Sequence, residues 1–371
     1  VASGLLRADL GETKMSAASM MRLFGVCGFA TVLAAGPGAI AAACTNPDGS
    51  CTTSITMSGA YSVRVHRTHP LSVPNAALTR AVIVLHGTNS NSGDYFSRMI
   101  RAADDEGVTE QTLIIAPTFL EAAELAQPGE LYWLDGSGSS WERGDPASTA
   151  GTSVSSFDVM DRLISIASDR ATFPNLNVLS IVGHSAGGQY VQRYAAGGQE
   201  PTLHADHGFV FVVANPSSYM YLDRRRPVSG STTTFAIPST TCRFNDYRYG
   251  MDYMNPYMEE TPQATIITQY RQRFVVYLAG DQDDDPADPT LDTTCRAMAQ
   301  GPHRLARATA YANYMDLYYP VNVHQLLLVA GVGHSSTDMF RSPGGRSVIF
   351  IDPADIPGGS PPSTPQGLRA F

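Results

Sequence analysis

The segment VLSIVGHSAGGQY places Gly183, Ser185 and Gly187 as G-x-S-x-G directly after an apolar run and ahead of Tyr190, Val191 and Tyr194 at helical spacing. A serine hydroxyl is a poor nucleophile unless a base takes its proton and hydrogen-bond donors receive the charge that develops on the substrate. This motif meets part of that need by setting the serine on a tight strand-to-helix turn, where the helix N-terminus favours negative charge. A base is available in HQLLLVAGVGHSSTDMF, where an apolar run ends in Gly331-Val332-Gly333 and His334 follows at once. The glycines let that loop bend back over a sheet edge. Upstream, AVIVLHGTNSN ends another apolar run at His86-Gly87 and turns into Tyr95, Phe96, Met99 and Ile100 at helical spacing. Such a turn can aim a backbone N–H at a carbonyl oxygen becoming anionic. Thr88 is assigned as that donor, with Asn89 as a close competitor, and is paired with the N–H of Ala186 as an oxyanion hole. His86 itself reads as a structural histidine that supports the loop, because His334 is the better-placed base.

The carboxylate that would orient His334 has several candidates. The segment FVVYLAGDQDDDPADPTLD offers Asp281, Asp283, Asp284, Asp285, Asp288 and Asp292. A calcium loop is one reading, since Asp281, Asp283 and Asp285 alternate and Asp292 stands twelfth counting from Asp281. Pro286, however, occupies the sixth position, where such a loop needs a glycine for its sharp turn and proline cannot adopt positive φ.

Together, LHGT at the oxyanion turn, GHSAG at the nucleophile, YLAGDQD at the acid strand and GVGHS at the base loop resemble esterases and lipases of the α/β-hydrolase superfamily. These anchors span residues 82–335 and are specific for fold and mechanism but not for substrate; the depolymerase-like and feruloyl-esterase-like branches are both similar. The resemblance implies an α/β fold with a mostly parallel central sheet flanked by helices and a cap-like insertion. It places the acid after a strand ending in glycine, commonly at G-x-x-D, and counting from Gly280 that residue is Asp283. His334 would take the proton of Ser185 as its oxygen attacks an ester carbonyl, Asp283 would fix the histidine tautomer, and water would release the acyl-enzyme. No cofactor or metal is required. The expected substrate is a carboxylic ester, whether bulky, aromatic or polymeric. An amidase or peptidase with the same triad is the first alternative, and a non-catalytic binding protein on the same fold the second.

These residues need a scaffold, and the sequence supplies its parts. Short runs rich in Val, Ile and Leu read as strands at SITM, YSVRVHR, AVIVLHG, TLIIAP, VLSIVG, FVFVVAN, FVVYLAG, HQLLLVAGV and SVIFID, as a sheet buried on both faces requires. A helix is expected from about Ser155, where Ser155 can cap and Asp158 follows three residues later. Residues 216–262 interrupt this rhythm with many tyrosines and Arg224, Arg225 and Arg226; they are a candidate cap or substrate-facing insertion, and the alternative is an irregular surface excursion. These tyrosines, with Trp133 and Trp141, could form an aromatic binding surface or simply pack.

The chain has 371 residues, 43% of them hydrophobic, and a formal charge of -9, enough for a large core in one domain over residues 44–353. That charge suggests no basic face for nucleic acid. Residues 1–43 read as a signal peptide with upstream residues, since Arg22 precedes an apolar run that contains Gly and Pro and ends in small residues. The interruption suits a cleaved segment better than a membrane span, and Ala41 is not the branched or leucine-like residue a lipoprotein signal needs, so no stable membrane anchor is expected. Export to a secreted or periplasmic location would remove Cys27 and leave Cys44, Cys51, Cys242 and Cys295 as two pairs. Proximity joins Cys44 to Cys51, and elimination joins Cys242 to Cys295. Residues 354–371 are a Pro/Gly/Ser-rich tail.

Overall fold

Eight of the apolar runs pair into one sheet in the computed structural model, which describes residues 42–134 and 139–357. The strands are β1 (Thr52–Thr56), β2 (Ser62–Arg67), β3 (Arg80–Leu85), β4 (Thr112–Pro117), β5 (Val178–His184), β6 (Gly208–Ala214), β7 (Phe274–Gly280) and β8 (Gln325–Val329). Their spatial order is β1-β2-β4-β3-β5-β6-β7-β8. The first two pairings are antiparallel and all the others parallel. Residues 1–41, which are all but the last two of the expected signal segment and include Cys27, and residues 358–371 of the expected tail lie outside the described residues.

Alternation along the central strands divides the core in two. Ala81, Ile83 and Leu85, with Leu179, Ile181, Phe211 and Val213, face one layer, covered by α2 (Ser156–Ala167), α3 (Ala186–Gly197), α4 (Gln263–Gln272) and α5 (Arg304–Tyr318). Val82 and Val84, with Val182, Val210 and Val212, face the other, covered by α1 (Ser92–Glu106), α6 (Ser336–Arg341) and α7 (Pro343–Ile349). Side chains buried on both faces explain why these runs lack polar alternation. Helix α2 begins where expected, with a complete capping box between Ser155 and Asp158.

The run SVIFID is not a strand. Ser342 accepts a hydrogen bond from the Gly345 N–H and Pro343 takes a first-turn position, so the chain is launched into α7. A proline at the start of a helix needs no N–H there. Val348 and Ile349 then bury against the second core layer, and β8 is left as the sheet edge. A short apolar run looks alike in strand and buried helix, and here the cap decides.

Both expected disulfides are present, Cys44–Cys51 and Cys242–Cys295. The second ties residues 216–262 to the segment after β7. Within that excursion Arg226 is buried, donates to the carbonyls of Phe244 and Tyr249, and lies 4.3 Å from the Tyr221 ring centroid. Tyr219 and Tyr221 are buried against Tyr311; they pack, whereas Tyr253 is exposed. None of the helices among the described residues is long and apolar enough to cross a membrane.

One buried acid makes a pH-dependent contribution to this packing. Asp161 on α2 accepts hydrogen bonds from Tyr194 at 2.6 Å and Tyr257 at 2.7 Å. Burial raises its carboxyl from 3.8 to about 6, although both tyrosines oppose the rise. The fold therefore favours the protonated form. That contribution is full below the unfolded value and is lost as pH rises through about 6. A rise of this size corresponds to at most about 3 kcal/mol. In thermal melts, Asp161→Asn should gain stability relative to the parent between pH 4 and pH 7; a difference that stays flat over this range would overturn the assignment.

Candidate active site

Thr88, Ser185, Asp283 and His334 each follow the C-terminal end of a parallel strand. Ser185 follows β5 and precedes α3, with φ 59° and ψ −120°. Two neighbouring backbones make this turn possible only with glycine. A Cβ on Gly187 would lie 2.6 Å from the His86 carbonyl oxygen, and one on Gly183 would strike the Gly187 backbone. The Ser185 N–H is anchored on the Ala214 carbonyl at 3.0 Å. This holds the hydroxyl above the C-terminal ends of the central strands in a backbone region that non-glycine residues seldom occupy, the kind of strain that concentrates at functional positions.

The loop after β8 brings His334 over that hydroxyl. His334 Nε2 lies 3.1 Å from Ser185 Oγ, and its Nδ1 lies 2.7 Å from Asp283 Oδ2. Asp283 is the third residue after the end of β7 and is buried. A carboxylate at Nδ1 fixes the proton there and leaves Nε2 as the acceptor for the serine hydroxyl.

The other aspartates of this loop have separate partners. Asp281 accepts the Gly331 N–H at 2.7 Å, Asp285 accepts the Ala287 N–H, and Asp292 accepts from the Tyr249 hydroxyl. Behind Asp283 stands a buried arginine that the sequence did not mark. Arg304 Nη1 is 3.3 Å from Asp283 Oδ1 and 3.1 Å from Asp288 Oδ2. Against the desolvation that would raise it, hydrogen bonds from Thr290 and the Arg304 charge hold Asp288 at about 2. Two carboxylates and one guanidinium thus leave one negative charge facing His334.

Around this centre, Thr88 and Ala186 line the same cleft as Ser185. Ala186 is the first residue of α3, so its N–H has no acceptor within the helix. Asn89 and Ser90 follow Thr88 at positive φ, 85° and 52°, and turn the chain sharply from β3 into α1. His86 is fully buried, and its Nε2 accepts the Phe119 N–H at 3.0 Å. Desolvation lowers it to about 4, which suits the supporting role. His184 is also buried, its ring 4.5 Å from that of His334, and burial followed by the His334 charge pushes it well down. It remains neutral beside the base.

Trp133 and Trp141 are both buried and line the cleft on one side of Ser185. Trp141 Nε1 donates to Glu121 at 2.7 Å. Glu142 pairs with Arg248 there, and Asp292 lies 3.8 Å from the same arginine. Against desolvation, Arg248, Arg143 and Arg193 hold Glu142 below the ordinary carboxylate range.

No protein-family model matches the chain, and no curated protein matches it. Among solved structures, the poly(3-hydroxybutyrate) depolymerase from Bordetella parapertussis is similar with a TM-score of 0.56 at 23% identity, over 82% of this chain and 92% of that one. The poly(aspartic acid) hydrolase-1 from Sphingomonas sp. KT-1 gives 0.54 at 21% identity, over 81% and 98%. With the strand order above, these likenesses decide the architecture. The chain has the α/β-hydrolase fold.

On this α/β-hydrolase sheet Ser185, Asp283 and His334 lie together at the C-terminal ends of the parallel strands. The N-terminal ends carry a different cluster. His204, Asp206 and His207 hold ligand atoms within 4.8 Å of one another just before β6. Asp206 there is paired with Arg170 at 3.1 Å, so this trio belongs to neither the cleft nor the chemistry at Ser185. Arg304, Arg248 and Glu142 also escaped the motifs of the α/β-hydrolase anchors. They lie in unrelated stretches of chain, and no local spacing connects them.

Proposed function

We propose that the protein is a secreted serine hydrolase that cleaves carboxylic esters through an acyl-enzyme on Ser185. The relay from Ser185 Oγ to His334 at 3.1 Å and on to Asp283 at 2.7 Å carries this reading. Three loops distant in sequence have no structural need to align a hydroxyl, an imidazole and a carboxylate in this way. The two solved relatives are a depolymerase and a hydrolase by name, which supports the hydrolytic reading. The two disulfides support an oxidising compartment.

His334 Nε2 accepts the proton of Ser185 as Oγ attacks the ester carbonyl carbon. The N–H groups of Ala186 and Thr88 receive the oxyanion. Asp283 stabilises the imidazolium and does not take its proton. Collapse of the tetrahedral species breaks the acyl C–O bond, and His334 returns the proton to the departing alcohol oxygen. Water, deprotonated in turn by His334, then displaces Ser185 and releases the acid. Residues 216–262 contribute Ser217 and Arg248 to the cleft wall, so the insertion faces the substrate.

A fluorophosphonate probe should label Ser185, located by peptide mass spectrometry, and p-nitrophenyl esters should turn over faster than matched anilides. Absence of labelling on folded protein, together with no ester turnover, would overturn the reading.

A further inference from the structure

Ser185 stands between two clefts of different charge. One, of about 290 Å³, is walled by Trp133 and Trp141 and by Glu121, Glu142, Asp292 and Arg248. The other, of about 320 Å³, runs past His334 to Asn91 and Arg98 and has no carboxylate in its lining. His334 lines the second and not the first. The proton that His334 takes from Ser185 must be handed to the departing alcohol oxygen. The alcohol arm of an ester therefore lies in the cleft shared with His334 and Arg98, and the acyl arm in the cleft beneath the tryptophans.

The two arms meet opposite electrostatics. On the acyl side the charges are already matched: Arg248, Arg143 and Arg193 surround Glu142, Asp292 lies 3.8 Å from Arg248 and Trp141 donates to Glu121. An anionic acyl group would therefore meet carboxylates and no uncommitted guanidinium. On the alcohol side, Arg98 is held in place: Nη1 donates to Ser336 Oγ at 2.8 Å and the guanidinium lies 5.0 Å from the Tyr95 ring centroid. Ser336 uses one of the five guanidinium N–H donors. The nearest carboxylate, Asp94, is 3.7 Å away with a side chain 62% exposed, a pairing that water and salt weaken. The side chain of Arg98 is 25% exposed, so a ligand there would meet a partly desolvated charge.

We propose that the protein selects esters whose alcohol arm carries a carboxylate, received by Arg98, and whose acyl arm is uncharged. This rests on the ester-hydrolase reading of Ser185. The reaction is RCOO–R′–COO⁻ plus water giving RCOOH and HO–R′–COO⁻. The acyl C–O bond breaks, and water supplies the hydroxyl of the acid and the proton of the alcohol.

Two isomers test the direction: 3-acetoxypropanoate carries its carboxylate on the alcohol arm, and monomethyl succinate carries it on the acyl arm. Each kcat/KM is divided by that of an uncharged ester of similar shape, butyl acetate for the first and methyl pentanoate for the second. This quotient should be about tenfold to a hundredfold larger for 3-acetoxypropanoate, the range expected of a hydrogen bond to a charged group. Arg98→Gln should remove most of that preference, and Asp94→Asn, which frees the guanidinium, should increase it. Equal quotients in the parent protein would overturn the proposal. So would an Arg98→Gln variant that lowers charged and neutral esters alike, since that is the mark of a structural role. Failure to hydrolyse butyl acetate together with failure of Ser185 to label would instead overturn the ester-hydrolase reading itself.

Discussion

Replacing Ser185 by alanine should lower kcat for a p-nitrophenyl ester by about 10⁵- to 10⁶-fold while leaving the melting temperature within a few degrees of the parent. The size follows from removing the nucleophile of a unit whose members act together, where loss of the serine costs nearly as much as loss of the whole set. The fold should survive for local reasons. Alanine keeps the Cβ and so bears the same cost at φ 59°. Among the described residues the hydroxyl's hydrogen-bond partner is His334, which is itself on the surface of the cleft and can meet water. The glycines that permit the turn are untouched. Stopped-flow and endpoint assays on protein expressed in a strain free of background esterase check the rate, and calorimetry checks the fold. More than a few per cent of parental activity would exclude Ser185 as nucleophile.

Asp283→Asn should lower kcat by about 10³- to 10⁴-fold with little effect on KM for small esters. An amide can present N–H to His334 Nδ1, which stabilises the tautomer with its proton on Nε2 and so removes the acceptor Ser185 needs. The geometry can survive while the base is lost. Arg304 sharpens the expectation, because the variant leaves that buried guanidinium with Asp288 alone, 3.1 Å away, and the imidazolium formed during reaction then faces no compensating charge. The same change at Asp281, Asp284 or Asp285 should cost less than about tenfold, since Asp281 and Asp285 accept backbone N–H groups and Asp284 is exposed, whereas Asp283 holds His334. Chelators should leave the rate as it is. Loss of activity on chelation with recovery on adding calcium, or a crippled Asp281→Asn beside a mild Asp283→Asn, would overturn this assignment.

How much of this was legible beforehand depended on whether the signal was local. The turn around Ser185 is a local problem: a strand, two glycines that must admit neighbouring backbone, and a helix start all lie within a dozen residues, so G-x-S-x-G could be read directly. The same holds for the Ser155 capping box and for the loop of His334. Asp283 was reached by counting from the glycine that ends its strand, and the fold then placed it at His334 because β7 and β8 are neighbours in parallel register. The disulfides were reachable because four cysteines in described chain leave few pairings.

What the chain by itself determined is therefore eight of the strands, the tight turns, and the residue types delivered to the strand ends. Tertiary structure alone decided the rest. SVIFID could have been strand or helix until Ser342 and Pro343 started a helix and Val348 and Ile349 met the second core layer. The tyrosines of residues 216–262 could have faced substrate until Tyr219 and Tyr221 were seen packed on Tyr311. Arg304 behind the acid, and the acid-rich and arginine-lined clefts on either side of Ser185, exist only as juxtapositions. Burial and charge pairing act over a few ångströms of space whatever the separation in sequence, so those features carry no periodicity or spacing from which they could have been read.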